Sequence, residues 1–475
     1  MHLNIEQIQQ AVDGRVVMAY SGLDAPVEGI TWDSRQVAPG NLYVALPGER
    51  VDGHDFVSAA FEAGAAAALI SHPLPDEAIG AVQEAGGALI FVKDTYGAVT
   101  DLARSWRAHL TGTVIALTGS SGKTTTKNLV RDVLASKLSV VATRANQNNE
   151  LGVPRTLLNA SADTQAVVVE MGMRGRHQLD RLCEFVKPDM ALVTNVGTSH
   201  IELLGSRENI ARAKSEPVAS LPAGGTAFLN AADDYTDFIC EEAQTAERGV
   251  QVVRYCGTGS ASGTAQVYAE DTVMDAEGHP SFMLHTPAGM APVSLNLRGL
   301  HNVHNACAAA AVAWKLGFTP RETAAALASA QAESGRQDVL HTADGVTVID
   351  DSYNANPDSM AASLAMFAAF AVDGRRIAVL GDMGELGDYS REGHRQVGRN
   401  AAESGLDRLI CVGPLSRDIA DAAREAGLAA DRISCVADAQ EALDALQGTL
   451  AGGDAVLVKA SHSTGLDNVV KGLVR

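Results

Sequence analysis

A β-branched apolar run that breaks into a glycine loop and then opens a helix constrains this chain more than any other feature. Residues 113–136 read TVIALTGSSGKTTTKNLVRDVLAS. TVIALT favours a buried strand. Gly119-Ser120-Ser121-Gly122-Lys123-Thr124-Thr125 follows, and then a helical pattern. Such an order presents bare backbone N–H groups at the positive end of a helix dipole, a geometry that binds phosphate. In that geometry Lys123 reaches the β- and γ-phosphates and the Thr124 hydroxyl ligates Mg²⁺. The spacing departs from the general G-x-x-x-x-G-K-[ST] loop: position 117 is Leu, and Gly119 and Gly122 lie closer together. A bare G-K-T match also describes an ordinary strand-to-helix turn with a surface lysine. The strand–loop–helix context and the repeated threonines favour the nucleotide.

A chain of 475 residues is too long for one core, and roughly two to three domains are expected. Hydrophobic residues make up 46% and charged residues 20%, the balance of a soluble globular protein. Aromatics are scarce at 4% while Gly and Ala abound, which suits close helix–sheet packing in α/β layers. The net charge of -20 disfavours nucleic acid and anionic membrane as partners. A site for a polyanion must then be locally positive. The six cysteines, Cys183, Cys240, Cys256, Cys307, Cys411 and Cys435, contain no C-x-x-C pair and read as buried free thiols in a reducing compartment. The start, MHLNIEQIQQAVDGR, has no basic stretch before an apolar core, so no signal peptide is expected. No apolar run approaches the ~20 residues of a membrane span, and a cytoplasmic location is expected.

Three segments emerge along the chain. Residues 1–92 alternate short apolar strands (NLYVALP, AAAALIS, ALIFV) with Ala-rich helical stretches, a small α/β unit with the Asp33-Ser34-Arg35 and Gly48-Glu49-Arg50 turns in its loops. Residues 93–330 open with a helix (TYGAVTDLARSWRAHL) and carry further strands AVVVEM, MALVTNV and TAFLN separated by helical patterns. That alternation predicts a doubly wound, mostly parallel sheet. Residues 251–299 switch to QVVRYCG, AQVYAEDTVM, SFMLHTP and APVSLNL with turn residues between, an antiparallel insert. Residues 331–475 return to strand–helix alternation (VTVIDD, RIAVLGD, RLICVG, AVLVKAS), a Rossmann-like sheet without the G-x-G-x-x-G fingerprint.

Ligands of open α/β sheets sit beyond the carboxyl ends of strands. Glu170 ends AVVVEM, where a carboxylate beside a phosphate loop suits Mg²⁺. His200 lies beyond the next strand, either a hydrogen-bonded loop histidine or a ligand for a second, weaker cation. Lys214, in ENIARAKSEP, reads on its own as a surface helix lysine. Asn302, His304 and Asn305 open a long Ala-rich helix as caps or as contacts to a base. Arg336 falls in the boundary string SGRQD and is either solvated or aimed at a γ-phosphate. Asp350-Asp351-Ser352-Tyr353-Asn354 offers carboxylates and amides suited to ribose hydroxyls and a base edge, or a cluster of Asx turns.

The order and spacing of these signals resemble the Mur ligase family over essentially the whole chain. The strings that carry the resemblance are DSRQVAPGNLYVALPGERVDGHDF, ALTGSSGKTTTK, NQNNELGVPRTLL, VVVEMGMR, TNVGTSHIELLGS, ARAKSEP, HNVHNA, GRQ, DDSYNANPDSM and GDMGELG. DSYNANPDSM and GDMGELG resemble in particular the member that joins D-alanyl-D-alanine to a UDP-MurNAc-tripeptide. The D-N-P-R stretch typical of the sibling that adds a diamino acid is absent. The resemblance implies an ATP-dependent, Mg²⁺-dependent, monomeric amide ligase of peptidoglycan synthesis, working through an acyl phosphate. It implies a UDP-binding first domain (1–92), an ATPase centre (93–330) and a third domain (331–475) that closes over ATP and takes the dipeptide.

Residue by residue, the resemblance implies that Gly119, Ser120, Ser121, Gly122, Lys123, Thr124 and Thr125 wrap the phosphates. Thr124 and Glu170 would hold one Mg²⁺, and His200 a second. Lys214 matches the family lysine that becomes carbamylated and so a metal ligand. Asn305 would meet adenine, Arg336 the phosphate and Asp351 the ribose, while Ser34, Arg35, Asn146 and Asn149 would meet the UDP-sugar. Lys459-Ala460-Ser461-His462 stands where the family often has K-G-S-R. A second ligase of the same superfamily, adding the third peptide residue or glutamate to folate, is the nearest alternative. A nucleotide-driven switch is an alternative from another class. A dehydrogenase is disfavoured by the missing glycine fingerprint.

Overall fold

Three parallel or mostly parallel sheets, each layered with helices, organise the chain. The computed structural model describes residues 1–260 and 263–474. Near the start, a five-stranded sheet runs in the order Arg15–Ala19, Ala88–Phe91, Ala67–Ile70, Leu42–Val44, Ile30–Thr31, with only the first pair antiparallel. His2–Asn4 and Pro26–Glu28 form a separate antiparallel ribbon beside it.

The helix Thr95–Arg107, N-capped by Asp94, leads into the second sheet. Its nine strands run Gly289–Ser294, Pro280–Thr286, Val267–Met274, Gln251–Cys256, Thr226–Asn230, Met190–Val193, Thr113–Thr118, Ala166–Glu170, Val140–Ala142. Thr113–Thr118 lies between two parallel partners and is buried from Val114 onward. A strand covered on both faces needs the continuous apolar run seen there.

The antiparallel segment begins later than 251. Gln251–Cys256 pairs parallel with Thr226–Asn230, and Val267–Met274 pairs parallel with it through Tyr255↔Val267. Only Val267–Met274, Pro280–Thr286 and Gly289–Ser294 run antiparallel, as the edge of the same sheet. Strand direction is set by the connection. The helix Thr236–Glu242 crosses over before Gln251, whereas short turns join the last three strands.

The third sheet runs Asp338–His341, Thr347–Asp350, Ala455–Lys459, Arg376–Gly381, Arg408–Val412, Ile433–Val436, parallel except for its first pair. Buried apolar residues cover both faces of the second and third sheets. The Ala-rich helix His301–Lys315 packs on the helix Lys123–Ala135, its small side chains allowing close approach. Each fully buried Phe or Leu in such a layer, Phe228 for example, stabilises the fold by about 1.5–3 kcal/mol. The six cysteines are free thiols; Cys435 is exposed and Cys240 half-buried, so burial does not extend to all of them. No helix among the described residues is long and apolar enough to cross a membrane.

Candidate active site

The strand Thr113–Thr118 releases the chain into Gly119, where a Cβ would overlap the Thr194 hydroxyl. Gly122, at φ 74, precedes the helix Lys123–Ala135, and a Cβ there would press on the Asn305 amide. No side chain caps this helix, so its first N–H groups are left for an anion. The loop before it is braced from the next strand end. Ser120 and Ser121 N–H donate to Asn195 Oδ1 at 3.1 and 2.9 Å, and Thr194 Oγ1 donates to Ser121 O at 2.6 Å.

Four cationic side chains gather around this loop in a protein of net charge -20. Lys123 Nζ donates to Gly119 O at 2.8 Å, and burial lowers its pKa. Lys214, on the helix Arg207–Ala219, is only 1% exposed, which overturns its reading as a surface lysine. Burial and the neighbouring Lys123 charge push its pKa well below the usual lysine value. It lies behind the cavity lining, near enough for its charge to lower the His200 pKa after the larger effect of burial. Lys127, which the sequence reading passed over, is 1% exposed and donates to Ala145 O at 3.1 Å. Arg336 Nη2 donates to Thr124 Oγ1 at 3.1 Å, and its guanidinium lies over the Tyr353 ring at 4.2 Å, so it is not a solvated linker residue.

Glu170 balances this charge. It is 1% exposed, and its Oε1 accepts from Thr124 Oγ1 at 3.3 Å and Asn148 Nδ2 at 2.8 Å. Its Oε2 is buried with no hydrogen bond, and Lys127 Nζ stands 3.8 Å away. A buried carboxylate oxygen without a donor, beside a hydroxyl, is the hard oxygen set that Mg²⁺ takes, so the residues fit that ion. His200 Nδ1 lies 2.6 Å from Glu385 Oε2, within reach of a hydrogen bond though not aligned for one.

A cavity of about 930 Å³ lies between the second and third sheets. Gly122 to Thr125, Ser120, Ser121, Glu170, His200, Asn305, Arg336, Asp351, Asn146 and Asn149 all line it. Ser34 and Arg35 do not: they form a turn capped by Asp33, and Arg35 Nε binds that same Asp33 at 2.8 Å. The Asn305 amide is engaged locally, its Oδ1 accepting from Thr126 Oγ1 at 3.0 Å and its Nδ2 donating to Asn302 Oδ1 at 2.8 Å. Asp351 Oδ2 meets Lys459 Nζ at 2.8 Å and the Ser363 hydroxyl. Of the residues the sequence reading missed, Lys127 stands inside the quoted string ALTGSSGKTTTK and Glu385 inside GDMGELG.

A second cluster, Asp52, His54 and His72, has metal-binding residue types. His54 Nε2 accepts the Ser71 N–H at 2.9 Å, so its proton sits on Nδ1 and is donated to Asp52 Oδ1 at 2.6 Å. A protonated Nδ1 has no lone pair for a cation, and the cluster is a structural hydrogen-bond network.

Three stretches match known families: residues 26–107 the "Mur ligase family, catalytic domain", 117–313 the "Mur ligase middle domain", and 335–462 the "Mur ligase, glutamate ligase domain". A Mycobacterium tuberculosis protein named UDP-N-acetylmuramoyl-tripeptide–D-alanyl-D-alanine ligase is 39% identical over 510 residues, covering 100% of this chain and 98% of its own. The Escherichia coli protein of the same name is 34% identical over 471 residues, covering 99% and 98%. Among solved structures, MurF from Acinetobacter baumannii superposes with a TM-score of 0.85 at 32% identity, covering 100% of this chain and 99% of that one. MurF ligase from Thermotoga maritima in complex with ADP gives a TM-score of 0.76 at 27% identity, covering 94% and 97%.

Proposed function

Since this chain belongs to the Mur ligase family, we propose that it is the ATP-dependent ligase that joins D-alanyl-D-alanine to UDP-MurNAc-tripeptide in peptidoglycan precursor synthesis. The observation that carries this is the convergence, on one cavity, of an uncapped helix N-terminus, the cations Lys123 and Arg336, and the orphaned oxygen of Glu170. It acts in the cytoplasm as a monomer. Residues 1–92 hold the UDP end, 93–330 the nucleotide, and 331–475 close over it and take the dipeptide.

Amide formation from a carboxylate in water is uphill because the carboxylate is a poor electrophile. The terminal carboxylate of the tripeptide attacks the γ-phosphorus of the substrate ATP. A C–O–P linkage forms and the bond to ADP breaks. The dipeptide amine then attacks the carbonyl carbon of this acyl phosphate. The tetrahedral intermediate expels phosphate, and the amine gives up a proton.

Both steps bring anions together, and the chain's own residues offset that repulsion. Gly119, Ser120, Ser121, Gly122, Thr124 and Thr125 wrap the phosphates with backbone and hydroxyl donors. Lys123 and Arg336 neutralise charge that develops in the transition state. Thr124 and Glu170 would hold one Mg²⁺ and His200 a second, which when bound supplies charge neutralisation and orientation of the phosphate oxygens. Lys214, its pKa lowered by burial, would in its unprotonated form add CO₂ through the amine lone pair and release a proton, leaving a carbamate as a further oxygen ligand. Asn305 meets adenine, Asp351 the ribose, and Ser34, Arg35, Asn146 and Asn149 the UDP-sugar. Water is excluded where the third domain covers the cavity, which protects the acyl phosphate.

The test is acceptor dependence. Purified protein with ATP, Mg²⁺ and UDP-MurNAc-tripeptide should release phosphate only when D-Ala-D-Ala is added, one phosphate per amide formed. Stimulation by a diamino acid or by glutamate instead would assign the chain to another ligase of the superfamily. Slow hydrolysis that no amine accelerates would make it a nucleotide switch.

A further inference from the structure

Loops of the third sheet hold one segment of the second, residues 197–202, at several points along its length. Thr198 N–H donates to Asp358 Oδ2 at 3.3 Å, and Asn356 Nδ2 donates to Ser199 Oγ at 2.6 Å. Glu202 N–H donates to Glu385 O at 3.3 Å, and a Cβ on Gly387 would press on Glu202. The same segment holds the phosphate loop from its other side: Gly197 N–H donates to Ser120 Oγ at 2.9 Å, and Ser199 Oγ donates to Ser120 O at 3.1 Å.

At its centre, His200 meets Glu385. Both are non-glycine residues in the left-handed region, at φ 65 and 59, where a side chain is tolerated only if its surroundings hold it. Glu385 Oε2 lies 2.6 Å from His200 Nδ1, and Arg174 Nη2 lies 3.0 Å from Oε1. A carboxylate at Nδ1 favours a proton on that nitrogen and leaves Nε2 with its lone pair. Carboxylates that partner metal-binding histidines accept that N–H, and Glu385 stands at the distance for it, with the N–H not aligned on the oxygen.

We propose that Glu385, delivered by the third domain, is the positioning residue for His200, so that the divalent-cation site is complete only when that domain is seated. Glu385 acts through His200 rather than on the reacting atoms. The role rests on the ligase activity proposed for this site.

The test compares wild type with Glu385→Ala, Glu385→Asp and Arg174→Ala. Mn²⁺ is titrated in the presence of a non-hydrolysable ATP analogue, and free Mn²⁺ is read by its electron paramagnetic resonance signal. Second-partner losses at metal sites run about 10–100-fold, so Glu385→Ala should weaken the His200-linked Mn²⁺ by about that factor. Metal-free binding of the analogue and the melting profile should stay at wild-type values. Glu385→Asp should recover part of the affinity, and Arg174→Ala should lose a smaller part in the same direction. Mn²⁺ affinity in Glu385→Ala within about twofold of wild type overturns the role of Glu385 alone. A wild type that fails to bind the analogue overturns the ligase assignment, and the proposal with it.

Discussion

Replacing Lys127 by Met keeps the length of the side chain and deletes its charge, which separates two effects that the structure links. At 3.8 Å from Glu170 Oε2, the ammonium attracts that carboxylate by about 4 kcal/mol at an effective dielectric near 20. Burial works against it and lowers the Lys127 pKa, so part of the attraction is spent on lost hydration. Ala145, whose carbonyl accepts from Nζ, is exposed and can turn to water. A net loss of about 2 kcal/mol remains, or about 4–8 °C in the melting temperature of a domain of this size. The second effect has the opposite sign. With Lys127 gone, one fewer positive charge competes with a cation for the buried Glu170 oxygen, so Mg²⁺ with an ATP analogue should raise the melting temperature more in Lys127→Met than in wild type. Thermal melts with and without Mg²⁺ and analogue measure both. If the variant melts with wild type when metal-free and gains no more from the ligands, Lys127 does not act as the counter-charge of Glu170.

Lys123→Ala should lower ligation by about 100-fold or more, with the circular dichroism spectrum unchanged; near-normal phosphate release would refute the phosphate-loop assignment. Lys214→Ala should be nearly inactive and recover in part on adding a short carboxylic acid, whereas full activity without additive would remove the carbamate. Asp454 is pushed up by burial but held down to about 2 by hydrogen bonds from Arg375 and from the Ala451 N–H. A carboxylate depressed below its unfolded value contributes stability above pH ~4 and loses it as pH falls toward ~2. Urea unfolding should therefore show Asp454→Asn weaker than wild type at pH 7, with the gap closing below pH ~4; a gap constant with pH would contradict this.

What the amino-acid string shows is whatever is local. The strand–glycine–helix order of 113–136 is readable because every part of it is contiguous, and the apolar runs 166–171 and 190–196 announce strands buried on both faces. The short strands Ile30–Thr31 and Ile433–Val436 carry no such signal, being too brief for a period to appear. The direction of Gln251–Cys256 depends on a crossover helix rather than on its own residues. Lys214 looks like any helix lysine until the fold sets it behind the phosphate loop, because burial is a property of neighbours far along the chain. Arg35 shows the same dependence on neighbours: its guanidinium is paired with Asp33, a contact that composition alone does not reveal.

The double attachment of residues 197–202 has a practical consequence for inhibition. A compound wedged against Thr198 and Ser199 would disturb the anion cradle and unseat the covering domain in one stroke. Escape by substitution would be difficult there, since a side chain altered to repel the drug must still satisfy hydrogen-bonding neighbours on two opposite flanks.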